Sequence, residues 1–483
     1  MAPRLEILVK EEAAPLAMGI NMDMQSPPSV LSSSPLPQAV ILVDPMSTGV
    51  LLQDKVFEAG MYSVVIVWSD RSQLVAREKH FKTSGRSRDD FAAVITHEDG
   101  AIETTLLAIL EATTNMTIAA VMCGSEFGVL LEDQIANGLN QKLGTTHLRG
   151  SGIPVLNTKV DKHLQANTIR ANGLNAVREK LARNEDDVQA FLEENNEEGA
   201  CFVVKPQTGA GSVGVTFCES KKAVWQAYYK ILAGEHKAHC RNKYRHYEQA
   251  GVLLQEYLKG TEYIVNSVVS NGKIKTTAMW KYDKRPYNGA AFVCFSKELQ
   301  VISDPNCEEI LEYTEKVLKA VGFESGAIHA EVMYTARGPV LVELNCRLHG
   351  GNGAWVQPAE ICMGYDQLSI LIDVYLNGGK IFDSIPSRPI TSNSYCHQVK
   401  MRSHIEGVFK GVNGSQFGRI IRLLSYHSLV LGVQEGDRLL KTVDMPSVPG
   451  EVTLVHSDKD QLAADYEKLN EILAEGIFDV VVA

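Results

Sequence analysis

Acidic and amide side chains interrupt two apolar segments in the second half of the chain. In GAIHAEVM, Glu331 lies within an apolar run, and in VLVELNCR, Glu343, Asn345 and Arg347 recur at every second position. Because successive side chains of a strand alternate between its two faces, the last three residues share one face. Two carboxylates and an amide oxygen are hard ligands of the kind that Mg²⁺ prefers beside substrate phosphates, and Arg347 could meet a further anion. A structural salt bridge from Arg347 to either glutamate is the alternative.

A glycine-rich segment, PQTGAGSVGV (206–215), follows an apolar run that contains Lys205. Its G-x-G-x-x-G pattern would bind a dinucleotide only if a helix began at the loop, and here a second strand, GVTFC, follows. No G-K-[ST] is present, so a Walker A loop is excluded. The segment therefore predicts a hairpin tip whose backbone N–H groups approach phosphate oxygens, with Lys205 adding a positive charge. A flexible surface hairpin with a solvated lysine is the alternative.

Further polar residues are candidates for the substrate side. MWKYDKRPYNGAAF is interpreted as a loop in which Lys281, Lys284 and Arg285 could hold a carboxylate, with ordinary surface charge as the alternative. His349 and Trp355, in LHGGNGAW, are similar candidates for the acceptor of a transferred group.

The elements that position these residues follow from the apolar pattern. From residue 39, apolar runs at 39–43, 62–68 and 117–122 alternate with helical patterns, which predicts parallel β-α-β units. After about residue 150 the pattern changes to helices at 160–174, which Asp161 could cap, and 306–321, with strands among them. Asn271-Gly272 and Arg337-Gly338 predict hairpin turns. The predicted fold class is α/β, with an α+β catalytic part.

Composition excludes several classes of protein. The 483 residues are 45% hydrophobic and 22% charged, which is typical of a globular protein of several domains. A net charge of -11 argues against nucleic-acid binding through an overall positive field, and no apolar run reaches the ~18 residues of a membrane span. Residues 1–37 are a Ser/Pro-rich tail, and this composition predicts a flexible segment. The predicted location is cytoplasmic, with an organelle transit peptide in the tail left open.

The cysteines predict thiols rather than disulfides or a zinc site. Nine are scattered along the chain without a C-x-x-C, and Cys123 is interpreted as a buried thiol. The polar stretch with His236, His239, Cys240 and His246 lacks the spacing of zinc ligands and is interpreted as a solvated loop.

Four motifs, in this order, resemble the ATP-grasp superfamily. They are the lysine at 162, FVVKPQTGAGSVGV at 202–215, LQEYLKGTEY at 254–263, and Glu331 followed by VELNCR at 342–347. The preceding α/β domain, with GSEFG at 124–128, is similar to the family's pre-ATP-grasp domain, which is Rossmann-like. Within the superfamily, the chain resembles carboxylate–amine ligases of the L-amino-acid ligase type. The expected domains are a tail (1–37), the pre-ATP-grasp domain (38–150), a lid subdomain (151–253), a core subdomain with the metal site (254–375) and a mixed α/β C-terminal region (376–483).

The resemblance implies a role for each matching position. ATP-binding roles fall on Lys162, Lys205, Thr208, Gly209, Gly211, Ser212, Gly214, Gln255, Tyr257, Leu258 and Glu262. The lysines contact phosphates, the loop 207–214 closes over these phosphates, and the residues from 255 to 262 meet adenine and ribose. The adenine and ribose roles rest on the resemblance alone. Glu331, Glu343 and Asn345 bind two Mg²⁺ ions, for which Mn²⁺ could substitute. Arg347 and Lys205 are catalytic, Arg347 by steadying an acyl phosphate, and the substrate side is assigned to Lys281, Arg285, His349, Gly350 and Trp355.

The implied activity is an ATP-dependent ligase that joins a carboxylate to an amine through an acyl phosphate and releases ADP and phosphate. Amino acids or small carboxylic acids are the expected substrates, and a homodimer is left open. One alternative is a non-catalytic, ATP-binding regulatory protein of the same fold, which the presence of both acids, the asparagine and the arginine disfavours. Another is an ATP-grasp ligase or carboxylase that acts on a nucleotide precursor or a carboxylated cofactor. A nicotinamide-dependent oxidoreductase is disfavoured because the first strand ends in DPMSTG rather than in a glycine fingerprint.

Overall fold

The computed structural model describes residues 36–69, 77, 80–81, 84–154, 156–207, 214–234, 251–302, 305–389 and 392–481. Within these ranges the strands form four sheets. None of the helices in these ranges has both the length and the apolarity that crossing a membrane requires.

The N-terminal part is a parallel α/β unit. Its elements are β1 (Gln38–Val43), α1 (Thr48–Glu58), β2 (Tyr62–Trp68), β3 (Ala93–Thr96), α2 (Ile102–Ala112), β4 (Thr117–Cys123) and α3 (Val129–Leu143). The strands pair in parallel in the order β3-β2-β1-β4. Alternate residues of β1 enter two different apolar clusters, because the sheet is covered on both faces. The predicted β-α-β alternation is confirmed, although the sequence pattern did not indicate β3 or α3.

The next part is a smaller antiparallel sheet with helices packed against it. Its elements are α4 (Lys162–Ala171), β5 (Glu179–Ala182), α5 (Glu185–Glu194), β6 (Phe202–Pro206), β7 (Thr216–Cys218), α6 (Lys221–Leu232) and β8 (Val252–Glu256). The strand order is β5-β8-β6-β7. β6 pairs with β7 in antiparallel fashion, so the glycine-rich loop between them is at a hairpin tip, as predicted. Asp161 caps α4, also as predicted, by accepting from the N–H groups of His163 and Leu164.

A large sheet forms the centre of the molecule. Its first elements are β9 (Gly260–Ser270), β10 (Lys273–Tyr287), β11 (Ala290–Gln300), α7 (Pro305–Val321), β12 (Gly326–Thr335), β13 (Gly338–Asn345), α8 (Val356–Met363), α9 (Gln367–Leu376) and α10 (Lys380–Ser384). Asn271 and Gly272, with φ of 50° and 75°, form the predicted turn between β9 and β10. Asn288 and Gly289, with φ of 49° and 83°, form a second such turn. The interpretation of the segment around Lys281 as a loop is therefore wrong, because this turn folds the segment into the hairpin of β10 and β11.

The C-terminal part extends the same sheet. Its elements are β14 (Tyr395–Met401), β15 (Gly407–Val412), α11 (Gly414–Ile420), β16 (Tyr426–Leu431), β17 (Arg438–Leu439), β18 (Gly450–His456), α12 (Lys459–Ala474) and β19 (Phe478–Val481). β14, β18 and β16 continue the central sheet, which has eight strands in the order β13-β12-β9-β10-β11-β14-β18-β16. The other three strands form a small sheet in the order β17-β15-β19. Short 3-10 turns lie at Arg88–Asp90, Glu126–Gly128, Leu156–Lys159, Gly351–Gly353 and Met445–Ser447.

The cysteines within the described ranges are free thiols, and most are buried, as predicted, but Cys123, which was also predicted to be buried, is only partly so. Cys240 lies outside those ranges, together with the other members of the cluster at 236–246.

Candidate active site

Two neighbouring strands at the edge of the central sheet bring the predicted metal ligands together. In the antiparallel pair β12–β13, Glu331 is aligned with Glu343 and His329 with Asn345. Paired residues share a face of the sheet, so both carboxylates and the amide of Asn345 lie side by side. Arg347 follows the end of β13, and its guanidinium donates to Asn345 Oδ1 at 3.3 Å. Glu343 and Asn345 thus share the face predicted for them, and Arg347 contacts Asn345 from beyond the end of the strand.

Each carboxylate has a basic neighbour that offsets its burial. Lys162 Nζ lies 2.8 Å from Glu343 Oε1, and His329 Nε2 lies 3.4 Å from Glu331 Oε1. Burial raises the pKa of Glu343, against the opposing charge of Lys162. For Glu331, burial acts in the same direction, but the hydrogen bond with His329 and the charge of Lys284 hold its pKa below the usual range. Two adjacent carboxylates kept close by such partners are a donor set that fits a divalent cation.

A metal ion at this site would be bound by two kinds of oxygen, from carboxylates and from an amide. Among the described residues, no group of three or more His, Cys, Asp or Glu side chains is arranged to hold a metal ion. The set of Glu331, Glu343 and Asn345 contains only two such side chains, and it suits a hard cation that completes its coordination with substrate oxygens.

Two buried lysines face these acids from the smaller sheet. Lys162 begins α4, and Lys205 lies on β6; they are 9% and 6% exposed. Asp161 joins the two elements, because its second carboxylate oxygen accepts from Gln207 Nε2 at 2.6 Å, directly after β6. Burial and the nearby charge of Lys162 lower the pKa of Lys205 to about 8. Since Lys205 has no ion-pair partner among the described residues, it presents a buried positive charge that an anionic ligand would stabilise.

The glycine-rich loop lies mostly outside the described residues. Thr208, Gly209, Gly211 and Ser212 are in the segment 208–213, which the structure does not describe. Gly214 is described, and its φ of 76° is a conformation that glycine adopts without strain. The described residues therefore show only that the predicted lid loop connects β6 to β7.

The segment predicted to meet adenine joins the two sheets. The side chain of Gln255 is buried and donates to Glu179 Oε2 at 2.6 Å, while Glu179 Oε1 contacts His163 at 2.8 Å. The backbone N–H of Tyr257 donates to Cys201 O, so this donor is already used within the protein. Leu258 packs against a small apolar cluster of Ala166, Val177 and Val340. A cavity of about 10 Å³ lies between this cluster and Lys162.

Glu262, which is predicted to meet the ribose, has a basic partner. Lys284 Nζ contacts both of its carboxylate oxygens, at 2.6 and 2.7 Å. Burial raises the pKa of Glu262, against the opposing charge of Lys284. A β-bulge between Asp283 and Lys284 shifts the alternation of β10 at this point. An extra residue of this kind cannot be recognised from the apolar pattern.

Lys281 and Arg285 do not join the site, so their predicted substrate role is not supported. Trp280 is aligned through β9 with Glu331, so the next residue, Lys281, belongs to the opposite face of the sheet. Arg285 is bound to Asp283, which also accepts from Tyr466 on α12.

The segment after β13 is buried beside the acids. The His349 ring stacks on that of His329, with 4.4 Å between the centroids, and on Trp355 at 5.4 Å. Trp355 is fully buried, and its indole N–H donates to the carbonyls of His349 and Gly350. The indole of Trp355 therefore holds the backbone of His349 and Gly350 in place, and the contact of these residues with substrate stays a prediction.

Glu126 is the functional neighbour that sequence reasoning missed. It lies just after β4 of the parallel unit, and its Oε2 accepts from Arg347 Nε at 2.5 Å. In the GSEFG segment, Gly124 packs so closely that a Cβ there would lie 2.4 Å from Pro45 Cα. That segment was the available signal, although its sequence does not reveal which residue Glu126 would meet.

Comparison with known proteins identifies an ATP-grasp domain in this chain. Residues 198–355 match the family model described as an ATP-grasp domain. It is 28% identical to dapdiamide A synthase of Enterobacter agglomerans over 380 residues, which cover 78% of this chain and 83% of that protein. It is 26% identical to phosphoribosylamine–glycine ligase of Methanocaldococcus jannaschii over 183 residues, 34% of this chain and 38% of that protein. The crystal structure of L-amino acid ligase from Bacillus licheniformis has the same fold, with a TM-score of 0.66 at 13% identity, covering 93% of this chain and 100% of that chain.

Proposed function

We propose that this protein is an ATP-dependent carboxylate–amine ligase that forms an amide bond and releases ADP and phosphate. The observation that carries the proposal is the meeting of two buried lysines, Lys162 and Lys205, with the acids of β12 and β13 and with Arg347. The similarity to a dapdiamide synthase and an L-amino acid ligase supports this class of reaction. Amino acids or small carboxylic acids are the proposed substrates.

In the first step, a carboxylate oxygen of the donor attacks the γ-phosphorus of ATP and ADP leaves, so that an acyl phosphate forms. The barrier to phosphoryl transfer falls mainly through positioning and neutralisation of charge. Lys205, which lacks an ion-pair partner among the described residues, supplies one positive charge, and Lys162, held by Glu343, supplies another. Glu331, Glu343 and Asn345 would hold Mg²⁺, which neutralises phosphate charge when bound.

In the second step, the amine nitrogen attacks the acyl carbon, the bond from that carbon to the phosphate oxygen breaks, and the amine loses a proton. Negative charge grows on the acyl oxygen and on the departing phosphate. Arg347 lies beside the acids and has a fixed orientation, because its guanidinium is bound to Glu126, Asn345 and the carbonyl of Leu348. A cation that is already oriented stabilises this charge without reorganisation at the moment of reaction.

Residues at the glycine-rich hairpin tip complete the proposal. We propose that loop 207–214 closes over the phosphates and excludes water, which would otherwise hydrolyse the acyl phosphate. The segment from Gln255 to Leu258 and the carboxylate of Glu262 are proposed to meet the adenine and ribose.

The buried free thiols support a reducing compartment, and hence a cytoplasmic location.

The test is phosphate release from ATP with Mg²⁺, screened against pools of amino acids and small carboxylic acids. Release of ADP and phosphate that requires both a carboxylate and an amine is the expected result. Formation of AMP and pyrophosphate would overturn the acyl-phosphate mechanism, and ATP binding without any turnover would favour a regulatory protein.

A further inference from the structure

The face of the central sheet that carries the acids continues onto strands that the proposed mechanism does not use. Glu331 is aligned through β9 with Trp280, and two residues along β10, Tyr282 is aligned with Lys297 on β11. Lys297 is in turn aligned with Gln398 on β14. Because aligned and alternate residues of a sheet share a face, Trp280, Lys297 and Gln398 lie on the same face as Glu331.

These three side chains carry polar atoms that the described part of the chain leaves unsatisfied. Lys297 is 4% exposed, and no carboxylate of the described residues lies within ion-pair distance of its Nζ. Nζ contacts the Nε2 of His349 at 3.2 Å and lies 5.4 Å from the centre of the Trp280 ring. The indole N–H of Trp280 and Oε1 of Gln398 are both buried without a hydrogen-bond partner in the described ranges. Such groups are costly unless a polar ligand completes their bonding.

A neighbouring lysine shows what Lys297 lacks. Lys400, on the same face of β14, is also buried, and it is paired with Glu451 on β18. Burial lowers the pKa of Lys297 to about 8. His349 offers only a neutral nitrogen, since burial and the charge of Lys297 hold its pKa well below the usual range. The sheet therefore supplies the carboxylate of Glu451 to Lys400 and leaves Lys297 for a ligand.

The position of Lys297 relative to the acids suits a substrate of the proposed reaction. Its partner His349 stacks on His329, and His329 contacts Glu331. One pair of stacked rings therefore separates the lysine from the proposed centre of phosphoryl transfer. The ligase reaction consumes the carboxylate of the donor, but an α-amino acid that acts as the acceptor keeps its own.

We propose that Lys297 and the indole N–H of Trp280 bind the free carboxylate of an acceptor α-amino acid, whose amine attacks the acyl phosphate. This subsite rests on the proposed ligase function and names the class of its second substrate. The two donors of the subsite select an anion, and Gln398 Oε1 offers an acceptor to a polar side chain of the same amino acid. His349 is a positioning residue, because its ring holds Lys297 in place and accepts hydrogen bonds only from other residues of the protein.

The test compares acceptors with and without a carboxylate. The wild type is first supplied with ATP, Mg²⁺ and a mixture of common L-amino acids and succinate as donors, with hydroxylamine as the acceptor, and hydroxamate is measured. KM is then determined for the best L-amino acid acceptor and for its α-amide, in the wild type and in Lys297→Met. Lys319→Met, which removes an exposed lysine from α7, is the matched control.

We expect Lys297→Met to raise KM for the amino acid about 10- to 100-fold, the loss typical of a buried charge-assisted hydrogen bond. KM for the α-amide and the rate of hydroxamate formation should change less than threefold, and Lys297→Arg should recover most of the affinity. Trp280→Phe, which keeps an aromatic ring but removes the N–H, should raise KM for the amino acid by a smaller factor. Lys319→Met should match the wild type.

Other results would overturn the subsite. An equal loss with the amino acid, its amide and hydroxylamine would show that Lys297 only supports the fold or the donor site. An unchanged KM in Lys297→Met would show that the carboxylate binds elsewhere. If the wild type forms no hydroxamate and no amide, the proposed function itself fails, and the subsite falls with it; the first two outcomes leave the ligase function intact.

Discussion

The contact between Glu126 and Arg347 allows a quantitative prediction, because it joins the parallel unit to the catalytic strand. Glu126→Ala should leave the guanidinium with two neutral acceptors, Leu348 O and Asn345 Oδ1. A charge-assisted hydrogen bond contributes about 1.5–3 kcal/mol. Since the two side chains are 16% and 22% exposed, solvent screens the pair, and we take the lower part of that range, about 1.5–2 kcal/mol. At ~1.4 kcal/mol per tenfold change in rate, kcat should fall about 10- to 30-fold.

The assay separates positioning from binding and from folding. kcat and KM for ATP are measured by ADP release, and Tm is measured for each variant. kcat should fall while KM for ATP stays within about twofold, because Arg347 is oriented for the acyl phosphate rather than for the nucleotide. Glu58→Ala, which removes an exposed ion pair with Lys55 in the same unit, is the control and should behave like the wild type. A Glu126→Ala enzyme with kcat within twofold of the wild type would refute the positioning argument, as would a loss that appears only in KM for ATP.

Three further predictions follow from the site. Glu343→Ala and Arg347→Ala should each reduce turnover by at least about 10²-fold with an unchanged circular-dichroism spectrum; full activity in either variant would contradict the site assignment. Because the ammonium form of Lys205 binds phosphate and its pKa is about 8 in the free protein, Kd for ATP should be constant below pH 7 and rise above pH 8 by up to about tenfold per pH unit. Calorimetric titration should show that Lys205→Arg removes this dependence, and a wild-type affinity that stays constant to pH 9.5 would contradict it. Trp355→Ala should lower the free energy of unfolding by about 3–5 kcal/mol in urea, because the side chain is fully buried; a change below 1 kcal/mol would show that its packing matters little.

The regular parts of the fold were predictable because they depend on local patterns. The apolar run at 39–43, the Asp161 cap and the Asn271-Gly272 turn each express a preference of a few adjacent residues, and each is present. β3 was missed because none of its four residues is fully buried, so its apolar pattern is weak.

The site was predictable where two residues share a strand, and less so where they meet across the fold. Spacing alone placed Glu343 and Asn345 on one face, and the acid within the apolar run of β12 indicated Glu331, which the structure aligns with Glu343. The partner of Arg347 is 221 positions away in the sequence, and no local pattern could reveal it. Lys281 and Lys284 were both candidates, and the contact of Lys284 with Glu262 could not be foreseen, because a single bulge shifts the alternation of β10.

The extension of the central sheet by β14, β18 and β16 has a consequence for how the protein is made. β11 is hydrogen-bonded on one side to β10 and on the other to β14, which begins 95 positions later at Tyr395. During synthesis the segment with Lys205, the acids and Arg347 leaves the ribosome well before this last neighbour. Until then, β11 is an unpaired edge, which can pair with other chains. Expression strains that slow translation or supply chaperones should therefore increase the soluble yield of this protein more than changes to its surface would.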